Sequence, residues 1–459
     1  MKIPVEKNKE YIVDIIDNGF EGEGIAKIEG YTIFVPNTLK EEKVKILIVK
    51  TTVSHAFGKV IEIIESSKSR REKVDCVTYK RCGGCNLRHI DYEATLLMKK
   101  QIVQNLVNKT LQSKIEVKDT MGMENPYNYR NKAQYPIGLD KEKNPIIGVF
   151  ANRTHEVIET NGCMIQNKES EKIAKYICEF AKKNKISVYD EKTGNGILRH
   201  IVIKVGIKTN EIMCIIVLNG RKVNNEEKLV KELISNFPNI KTIVKNVNTK
   251  NTNVILGKEN IIIYGDGYIY DKLGDYTFKI SPLSFYQINP IQTEKLYNLA
   301  LQKAELTGKE ILLDLYCGIG TIGIFMAKNA KEVYGIEIVE DAIKDAIENC
   351  KINNIQNAKY YAGDAEELLA KLIEEEKIVP DVIIVDPPRK GLDNTTVNNI
   401  IKIKPKKVIY ISCNPATLIR DLAKLEQNYE IKEIQPVDMF PFTSHVECVS
   451  VLHRKNIEK

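Results

Sequence analysis

The sequence feature that most constrains the fold is an alternation of strand and helix patterns that begins after residue 290. Short runs rich in Val, Ile and Tyr recur there, and the stretches between them have helical periodicity. The predicted strands are EILLDLY (310–316), EVYGIEI (332–338), AKYYAGD (358–364), PDVIIVD (380–386), KKVIYIS (406–412) and VECVSVL (446–452). Strands that alternate with helices form mostly parallel sheets, because a parallel connection needs a long crossover. The C-terminal part is therefore predicted to be a doubly wound α/β domain.

The loop after the first of these strands, DLYCGIGTIG (314–323), is suited to a nucleotide ligand. Gly318 and Gly320 allow a tight turn and a close approach of the ligand to the start of a helix. Glu337 ends the next strand, where a carboxylate accepts hydrogen bonds from ribose hydroxyls. An NAD-dependent oxidoreductase has a similar loop, so this loop alone leaves both classes open.

Two differences favour an S-adenosylmethionine methyltransferase over the oxidoreductase. The loop lacks the third glycine of the dinucleotide pattern, and Asp364 and Asp386 end two further strands at regular intervals. Asp386 begins DPPR (386–389), in which Arg389 stands where amino-group methyltransferases have an aromatic residue that stacks on the base. The motif therefore disfavours methylation of adenine or cytosine amino groups.

Cys413 is the candidate nucleophile, because ISCNPATLIRDL (411–422) brings it to the end of the fifth strand. Ligands bind at that edge of a parallel sheet, and Pro415 suits the start of the following helix. Methylation of carbon 5 of uracil is a reaction that needs such a thiol. Carbon 5 is a weak nucleophile, and it becomes enolate-like when a thiolate adds to carbon 6. A free thiol is little ionised at neutral pH, so we expect the site to lower the pKa of Cys413. A small buried cysteine without chemistry is the alternative.

Uracil methylation by this route also needs a base that removes the proton from carbon 5. HVECV (445–449) offers Glu447, whose basicity rises if the apolar neighbours desolvate it. His445 is the rival base, and a glutamate that faces solvent is the alternative without chemistry.

The first 65 residues predict a small β-barrel of the oligonucleotide-binding type. Their β-like runs are YIVDII (11–16), YTIFVP (31–36), KVKILIV (43–49) and GKVIEII (58–64), with a turn at 17–24. Helices are predicted at 93–113 and near 167–183. Between 134 and about 280 the pattern is strand-like, with a hairpin of 200–207 against 211–219.

The positive charge of the chain is concentrated in one short region. Residues 66–150 contain 16 Lys+Arg and 9 Asp+Glu, and they carry the whole of the formal net charge of +7. Clustered cations attract a polyanion, so we expect Arg70, Arg71 and Arg130 to contact RNA phosphates. No stretch reaches the roughly 18 apolar residues that a membrane span needs, and MKIPVEKNKE has no apolar signal core. We therefore expect a cytoplasmic protein without membrane contact.

Together these motifs resemble the RNA uracil-5-methyltransferase family, and they are most similar to its 23S ribosomal RNA branch. The resemblance covers nearly the whole chain and depends on PLSFYQINP (282–290), DLYCGIG (314–320), DPPRKGL (386–392), ISCNP (411–415) and HVECV (445–449). It implies S-adenosylmethionine contacts from Gln287, Tyr316, Glu337 and Asp386. It also implies that Cys413 is the nucleophile and Glu447 the general base, while Asp364 matches a more variable cofactor position.

The resemblance also implies the domain plan. The fold class is α/β, with a Rossmann-like class I methyltransferase domain, an N-terminal OB-like TRAM barrel and a central α+β iron–sulfur domain. The expected domains are the TRAM barrel (1–65), the central domain (66–92 and 124–282) and the methyltransferase domain (93–123 and 283–459).

Four cysteines stand in a pattern that indicates a metal site rather than disulfides, because a cytoplasmic protein keeps its thiols reduced. CVTYKRCGGC (76–85) has the spacing C-x₅-C-x₂-C, and Cys163 is the distant fourth. The spacing alone leaves zinc and a [4Fe–4S] cluster open, since both prefer thiolate ligands. In the family that the chain resembles, Cys76, Cys82, Cys85 and Cys163 hold a [4Fe–4S] cluster.

Three functions stay open at this point. The first is formation of 5-methyluridine in 23S rRNA by a protein that is expected to be monomeric. The second is the same reaction on the T-loop of tRNA, against which the barrel and the cysteine set argue. The third is an RNA-binding assembly factor with a vestigial site, against which the intact Cys413 and Glu447 argue.

Overall fold

The computed structural model describes residues 3–152 and 154–455, and its N-terminal part is a small barrel. The strands are β1 (Glu10–Asp14), β2 (Asp17–Asn18), β3 (Gly24–Ile28), β4 (Tyr31–Val35), β5 (Lys43–Thr51) and β6 (His55–Glu65), paired in the order β1-β5-β6-β4-β3-β2. The N–H of Ile16, after β1, donates to the carbonyl of Ile25 on β3 at 2.8 Å, and this bond brings the two ends of the sheet together. The four predicted runs are confirmed as β1, β4, β5 and β6.

The central part is a second sheet of seven strands. It comprises β7 (Lys132–Leu139), β8 (Pro145–Phe150), β9 (Val157–Glu159), α2 (Lys168–Lys183), β10 (Leu198–Val205), β11 (Ile212–Leu218), α3 (Glu226–Asn236), β12 (Ile240–Val247) and β13 (Glu259–Tyr264). It follows α1 (Tyr92–Thr110), and its strand order is β13-β12-β11-β10-β7-β8-β9. The predicted helices at 93–113 and 167–183 and the predicted hairpin are confirmed as α1, α2 and β10–β11.

The C-terminal part begins with the hairpin β14 (Ile269–Leu273) and β15 (Tyr276–Ile280). Then come α4 (Pro290–Ala304), β16 (Ile311–Leu315), α5 (Thr321–Met326), a 3₁₀ turn (Ala327–Asn329), β17 (Glu332–Glu337), α6 (Glu340–Ile352), β18 (Ala358–Ala362), α7 (Ala365–Glu374), β19 (Val382–Val385), α8 (Asn394–Ile403), β20 (Lys407–Ser412), α9 (Pro415–Leu425), β21 (Tyr429–Val437) and β22 (Glu447–Arg454). The strand order is β18-β17-β16-β19-β20-β22-β21. All six predicted strands are confirmed, and Pro415 is the first residue of α9.

Five strands of this sheet are parallel, and β22 runs antiparallel between β20 and β21. Apolar cores cover both faces. Buried side chains of α4, α5 and α6 form one core together with the β14–β15 hairpin and one face of the central sheet, whereas α1, α7, α8 and α9 build the other. The doubly wound α/β fold is therefore confirmed. This packing makes the carboxyl edge of the parallel strands the rigid base of the site below.

The domain boundaries stay predictions, and residues 1–2 and 456–459 at their outer ends lie outside the described part. In residues 3–152 and 154–455, no helix combines the length and the hydropathy that crossing a bilayer requires.

Candidate active site

A cavity of about 620 Å³ opens at the carboxyl edge of the parallel strands. All six residues that the sequence predicts for cofactor binding and catalysis line it, namely Gln287, Tyr316, Glu337, Asp386, Cys413 and Glu447. Asp364, Arg389 and His445 line the same cavity. The structure thus brings together residues that are up to 160 positions apart in the chain, from Gln287 to Glu447. Their roles stay predictions.

The pairing of β20 with β22 sets the position of Cys413 beside Glu447. Ser412 pairs with Cys448 in this antiparallel ladder, so the residue after Ser412 and the residue before Cys448 meet at the end of the two strands. Glu447 is only 3% exposed, while Cys413 is half-buried. A thiol and a carboxylate therefore face one small volume of the cavity.

The glycine loop is shaped by left-handed backbone at two positions that line the cavity. Gly318 has φ +54, and a Cβ there would meet nothing within 4 Å, so the backbone is open to a ligand. Tyr316 has φ +66, which is uncommon for a bulky residue and marks a strained turn. Glu337 accepts hydrogen bonds from the N–H groups of Gly318 (3.2 Å) and Val339 (3.0 Å), which fix its carboxylate at the end of β17.

The DPPR and SCNP loops are joined at the backbone carbonyl of Arg389. This oxygen accepts hydrogen bonds from Asn414 Nδ2 and Thr417 Oγ1, both at 3.2 Å. Asn414 Oδ1 also accepts from the N–H of Ala416 (3.0 Å) and so caps α9. These bonds fix the backbone of Arg389 beside the cavity that Cys413 and Glu447 also line.

The expectation that the site lowers the pKa of Cys413 is wrong for the protein alone. Burial raises the pKa of this thiol to about 11, and the negative charges of Glu447 and Asp386 add to the effect. Arg389 acts in the opposite direction but is the weaker influence. The thiol is therefore protonated at neutral pH, and activation needs a further positive charge or a proton acceptor.

The expectation that desolvation raises the basicity of Glu447 is confirmed. Burial first, and then repulsion by Asp386, raise the pKa of Glu447 to about 8. Burial also raises the pKa of Asp386 to about 7. Two carboxyl groups that repel each other titrate together, so the pair retains protons near neutral pH. Burial and the cations Arg389, Lys99 and Arg130 lower the pKa of His445 to about 4, which makes its ring neutral.

We expect alkylation of Cys413 by iodoacetamide to speed up about tenfold per pH unit between pH 7 and 9 in Glu447→Gln, and less steeply in the wild type, because the thiolate is the reactive form. In Glu447→Gln the rate should match that of the wild type at pH 7, where Glu447 is mostly protonated. It should exceed the wild-type rate at pH 9, where the ionised Glu447 raises the pKa of the thiol. Mass spectrometry of the peptide that contains residue 413 measures the rate, with Cys413→Ala as the blank. Equal rates at pH 9 would contradict the coupling.

The four predicted metal ligands also come together, at a second and smaller cavity. Cys76, Cys82, Cys85 and Cys163 line a space of about 160 Å³, and all four are free thiols. Within residues 3–152 and 154–455, no three His, Cys, Asp or Glu side chains form a group that could hold a metal ion. Burial, with help from the neighbouring thiols, raises the pKa of Cys85 to about 12.

Two arginines form part of the wall of this cysteine cavity. Nη1 of Arg88 and Nε of Arg130 are buried, and among the described residues neither has a hydrogen-bond partner. A buried cationic donor without a partner is costly. Cationic walls and soft thiol donors together suit an anionic metal–thiolate centre.

The expectation that Arg70 and Arg71 are free phosphate contacts needs correction. Arg70 donates to both carboxylate oxygens of the buried Glu42, at 2.5 and 2.8 Å. Arg71 lies over the ring of Phe442, 5.0 Å from its centroid, and its side chain is 17% exposed. The two arginines of the basic stretch at 66–73 therefore mainly join parts of the protein to one another.

The sequence reasoning missed two aromatic residues that line the large cavity. Phe285 is 62% exposed and lies in the PLSFYQINP segment. It could have been found from the sequence, because it is a large apolar residue in a segment that has no periodic pattern of buried positions. Phe440 lies in the irregular loop between β21 and β22, where no periodicity marks it.

Known proteins that are similar to this chain share its whole length. The tRNA (uracil-5-)-methyltransferase family matches residues 91–455, and the TRAM domain matches residues 4–61. An uncharacterized RNA methyltransferase of Clostridium acetobutylicum is 46% identical over 98% of each chain, and one of Staphylococcus epidermidis is 44% identical over 99% of each. The solved structure of the Pyrococcus abyssi tRNA (uracil-54, C5)-methyltransferase in complex with S-adenosyl-L-homocysteine has a TM-score of 0.77. It is 27% identical and covers 96% of this chain and 100% of that chain.

Proposed function

The chain belongs to the RNA uracil-5-methyltransferase family, and on this premise we propose that it methylates carbon 5 of a uridine in 23S rRNA with S-adenosylmethionine. The observation that carries the proposal is the convergence of a thiol and a buried carboxyl group, Cys413 and Glu447, on one cavity. The same cavity has the acidic and aromatic groups that a nucleoside cofactor needs.

S-adenosylmethionine would be held by Gln287, Tyr316, Glu337 and Asp386. Glu337 is the ribose ligand, because backbone N–H groups already orient its carboxylate at the end of β17. Asp386 suits a cationic ligand, since a nearby positive charge favours its ionised form. The cofactor supplies an electrophilic methyl group on a positively charged sulfur.

Catalysis then proceeds through a covalent bond between the protein and the base. The thiol of Cys413 gives its proton to water, and the resulting thiolate adds to carbon 6 of the uracil. The electron pair of the 5,6 double bond then moves to carbon 5 as an enolate. Carbon 5 takes the methyl group, and S-adenosylhomocysteine leaves with the electron pair of the broken sulfur–carbon bond. Glu447 takes the proton from carbon 5, the double bond re-forms, and the thiolate leaves carbon 6.

Glu447 is proposed as the base in preference to His445. A base with a pKa of about 8 is matched to proton transfer near neutral pH, whereas a base with a pKa of about 4 accepts a proton only weakly. The site of Glu447 on the end of β22, next to β20, also gives it a fixed distance from the nucleophile.

The assignment of 23S rRNA as substrate has support from the sequence motifs that are most similar to that branch of the family. The N-terminal barrel does not separate rRNA from tRNA, because the Pyrococcus abyssi tRNA (uracil-54, C5)-methyltransferase covers 96% of this chain. The competing substrate is tRNA, favoured by the name of the Pyrococcus abyssi relative. Mass mapping of 5-methyluridine in rRNA and in tRNA, from cells with and without the gene, separates the two. Loss of the modification from tRNA alone would overturn the rRNA assignment. An unchanged pattern in both would favour a binding factor without catalysis.

A [4Fe–4S] cluster is proposed for Cys76, Cys82, Cys85 and Cys163. The chemistry of the donors suits such a cluster, because four thiols share one cavity with two buried cationic groups. As they stand in the described residues, the thiols are not grouped closely enough to hold a metal ion, so binding would draw them together. Bound there, the cluster would supply cross-links between the segment at 76–85 and the distant Cys163 rather than chemistry at the uridine.

We expect anaerobically purified protein to be brown, with broad absorbance near about 400 nm and close to four iron atoms per chain. Cys163→Ser should lower the iron content, because it removes one of four thiolate ligands, whereas the buried Cys178→Ser on α2 should not. Iron and sulfide assays together with metal analysis provide the measurement. Stoichiometric zinc without iron would overturn the assignment.

A further inference from the structure

The loop at 438–446, between β21 and β22, is a part of the active site that the central domain contacts. It carries Phe440 and His445 to the large cavity and leads directly into Glu447. The middle of the loop is held by the segment at 86–88, which follows the last cysteine of the C-x₅-C-x₂-C pattern. Three contacts make this connection.

The first contact is a stack of Arg88 on Phe442. The guanidinium of Arg88 lies 4.4 Å from the centroid of the ring, and Phe442 is fully buried. Phe442 has φ +64, a conformation that a phenylalanine adopts only when its surroundings hold it there. The rings of Tyr92 and Tyr127 complete the enclosure, with centroids at 5.6 and 5.5 Å.

The second and third contacts are hydrogen bonds from neighbouring residues. Asn86 donates to Ser444 Oγ (2.9 Å) and to the carbonyl of Glu21 in the barrel (2.5 Å), and its Oδ1 accepts from the N–H of Ser444 (2.8 Å). The N–H of Leu87 donates to the carbonyl of Phe442 at 3.0 Å. The segment at 86–88 therefore connects the barrel, the cysteine cavity and the loop at 438–446.

One guanidinium, that of Arg88, contacts the loop at 438–446 and also lines the cysteine cavity. Nε and Nη2 donate to Asp75 at 2.6 and 2.9 Å, and these bonds fix the plane that stacks on Phe442. Nη1 is buried without a partner, and the residue lines the cysteine cavity. An anionic centre in that cavity would attract Nη1 and stabilise the same orientation.

We propose that Arg88 is a positioning residue that couples the cysteine cavity to the uridine side of the active site. When the thiols hold an anionic metal centre, Arg88 keeps its plane over Phe442, and the loop at 438–446 keeps the shape that receives the target base. Two of the proposed cofactor contacts are fixed elsewhere, because Tyr316 follows β16 and Glu337 ends β17, so binding of the cofactor should depend little on this coupling. The inference rests on the proposed uridine chemistry for one of its two measurements, the covalent capture of RNA.

The test compares Arg88→Lys with Arg70→Lys. Both replace a largely buried arginine that is paired with a carboxylate, and both keep the charge, but only Arg88 stacks on Phe442. A lysine lacks the planar fork that makes the stack. Hydrogen–deuterium exchange of the loop at 438–446 is the first readout. The rate of covalent capture of 23S rRNA and tRNA transcripts containing 5-fluorouridine is the second. Affinity for S-adenosylhomocysteine, measured by calorimetry, is the control.

We expect Arg88→Lys to speed exchange in the loop about tenfold and to slow capture by roughly 10- to 100-fold. Affinity for S-adenosylhomocysteine should stay within about twofold, and Arg70→Lys should resemble the wild type in all three measurements. Removal of the metal from the wild-type protein by oxidation and a chelator should reproduce the faster exchange of the loop. Asp75→Asn, which weakens the pair that fixes the plane of Arg88, is the second variant if Arg88→Lys does not fold.

If the loop exchanges at the wild-type rate in Arg88→Lys, or in Asp75→Asn where that variant replaces it, the positioning role is overturned. Faster exchange in the variant but not after metal removal would overturn the coupling to the cysteine cavity. If the wild-type protein captures neither transcript, the proposed uridine chemistry fails, and the exchange measurements still decide the inference on their own.

Discussion

We expect Cys413→Ala to lose methylation by at least roughly 10⁴-fold and to form no covalent complex with RNA, because the thiolate is the group that activates carbon 5. Glu447→Gln should fail at a later step. It can still attack carbon 6 and transfer the methyl group, but it has no carboxylate to take the proton from carbon 5. A protein–RNA adduct should therefore accumulate and be visible on a denaturing gel, and its base should be methylated only when S-adenosylmethionine is present.

The matched control for this pair is wild-type protein with RNA that contains 5-fluorouridine, since fluorine does not leave carbon 5 as a cation. This RNA should trap the wild type and Glu447→Gln alike and should leave Cys413→Ala free. Normal turnover by Cys413→Ala would refute the assignment of the nucleophile. Normal turnover by Glu447→Gln, together with an adduct in His445→Ala, would transfer the role of base to His445.

We expect Asp438→Ala to lower the free energy of unfolding by about 3–5 kcal/mol, because it leaves a buried ammonium group without its counter-ion. Lys99 and Asp438 form an ion pair of 2.5 Å, and neither side chain is exposed. The carboxylate also accepts a hydrogen bond from the hydroxyl of Tyr92 at 2.8 Å. Burial already lowers the pKa of Lys99, so loss of the carboxylate should favour its neutral form further.

Urea unfolding at neutral pH gives the measurement, with Asp341→Ala as the matched control. Asp341 pairs with Lys344 on the surface of α6, where an exposed pair contributes less than about 1 kcal/mol. A similar loss of stability in both variants would contradict the role of burial. Activity of Asp438→Ala should fall as well, because Lys99 also donates to the carbonyl of Phe440 (3.2 Å) in the loop at 438–446.

The sequence predicts the methyltransferase sheet well, because long alternations of strand and helix leave little freedom of topology. It does not predict β21, whose run YEIKEIQPV mixes charged residues and a proline into the strand. It also does not predict β3, whose five residues follow a turn signal and begin with glycine. Short strands at edges and after turns have too few alternating positions to be recognised from pattern alone.

The candidate site is predictable as a set of residues, since parallel strands end at one edge and each strand end here carries a polar group. Its electrostatics are not predictable in the same way. The pKa of Cys413 depends on Asp386 and Glu447, which the chain brings beside it only after folding. Whether Arg70 is free to contact RNA likewise depends on Glu42, a partner 28 residues earlier in the chain.

The ladder between β20 and β22 has a consequence for the timescales of the reaction. Hydrogen-bonded strands in the core of a domain separate only when large parts of the fold open, whereas loops move within microseconds to milliseconds. Cys413 and Glu447 lie at the end of the ladder, so we expect their separation to stay nearly constant while the loop at 438–446 fluctuates. Substitutions in that loop should therefore change how often a base is admitted and leave the rate of bond formation after admission unchanged.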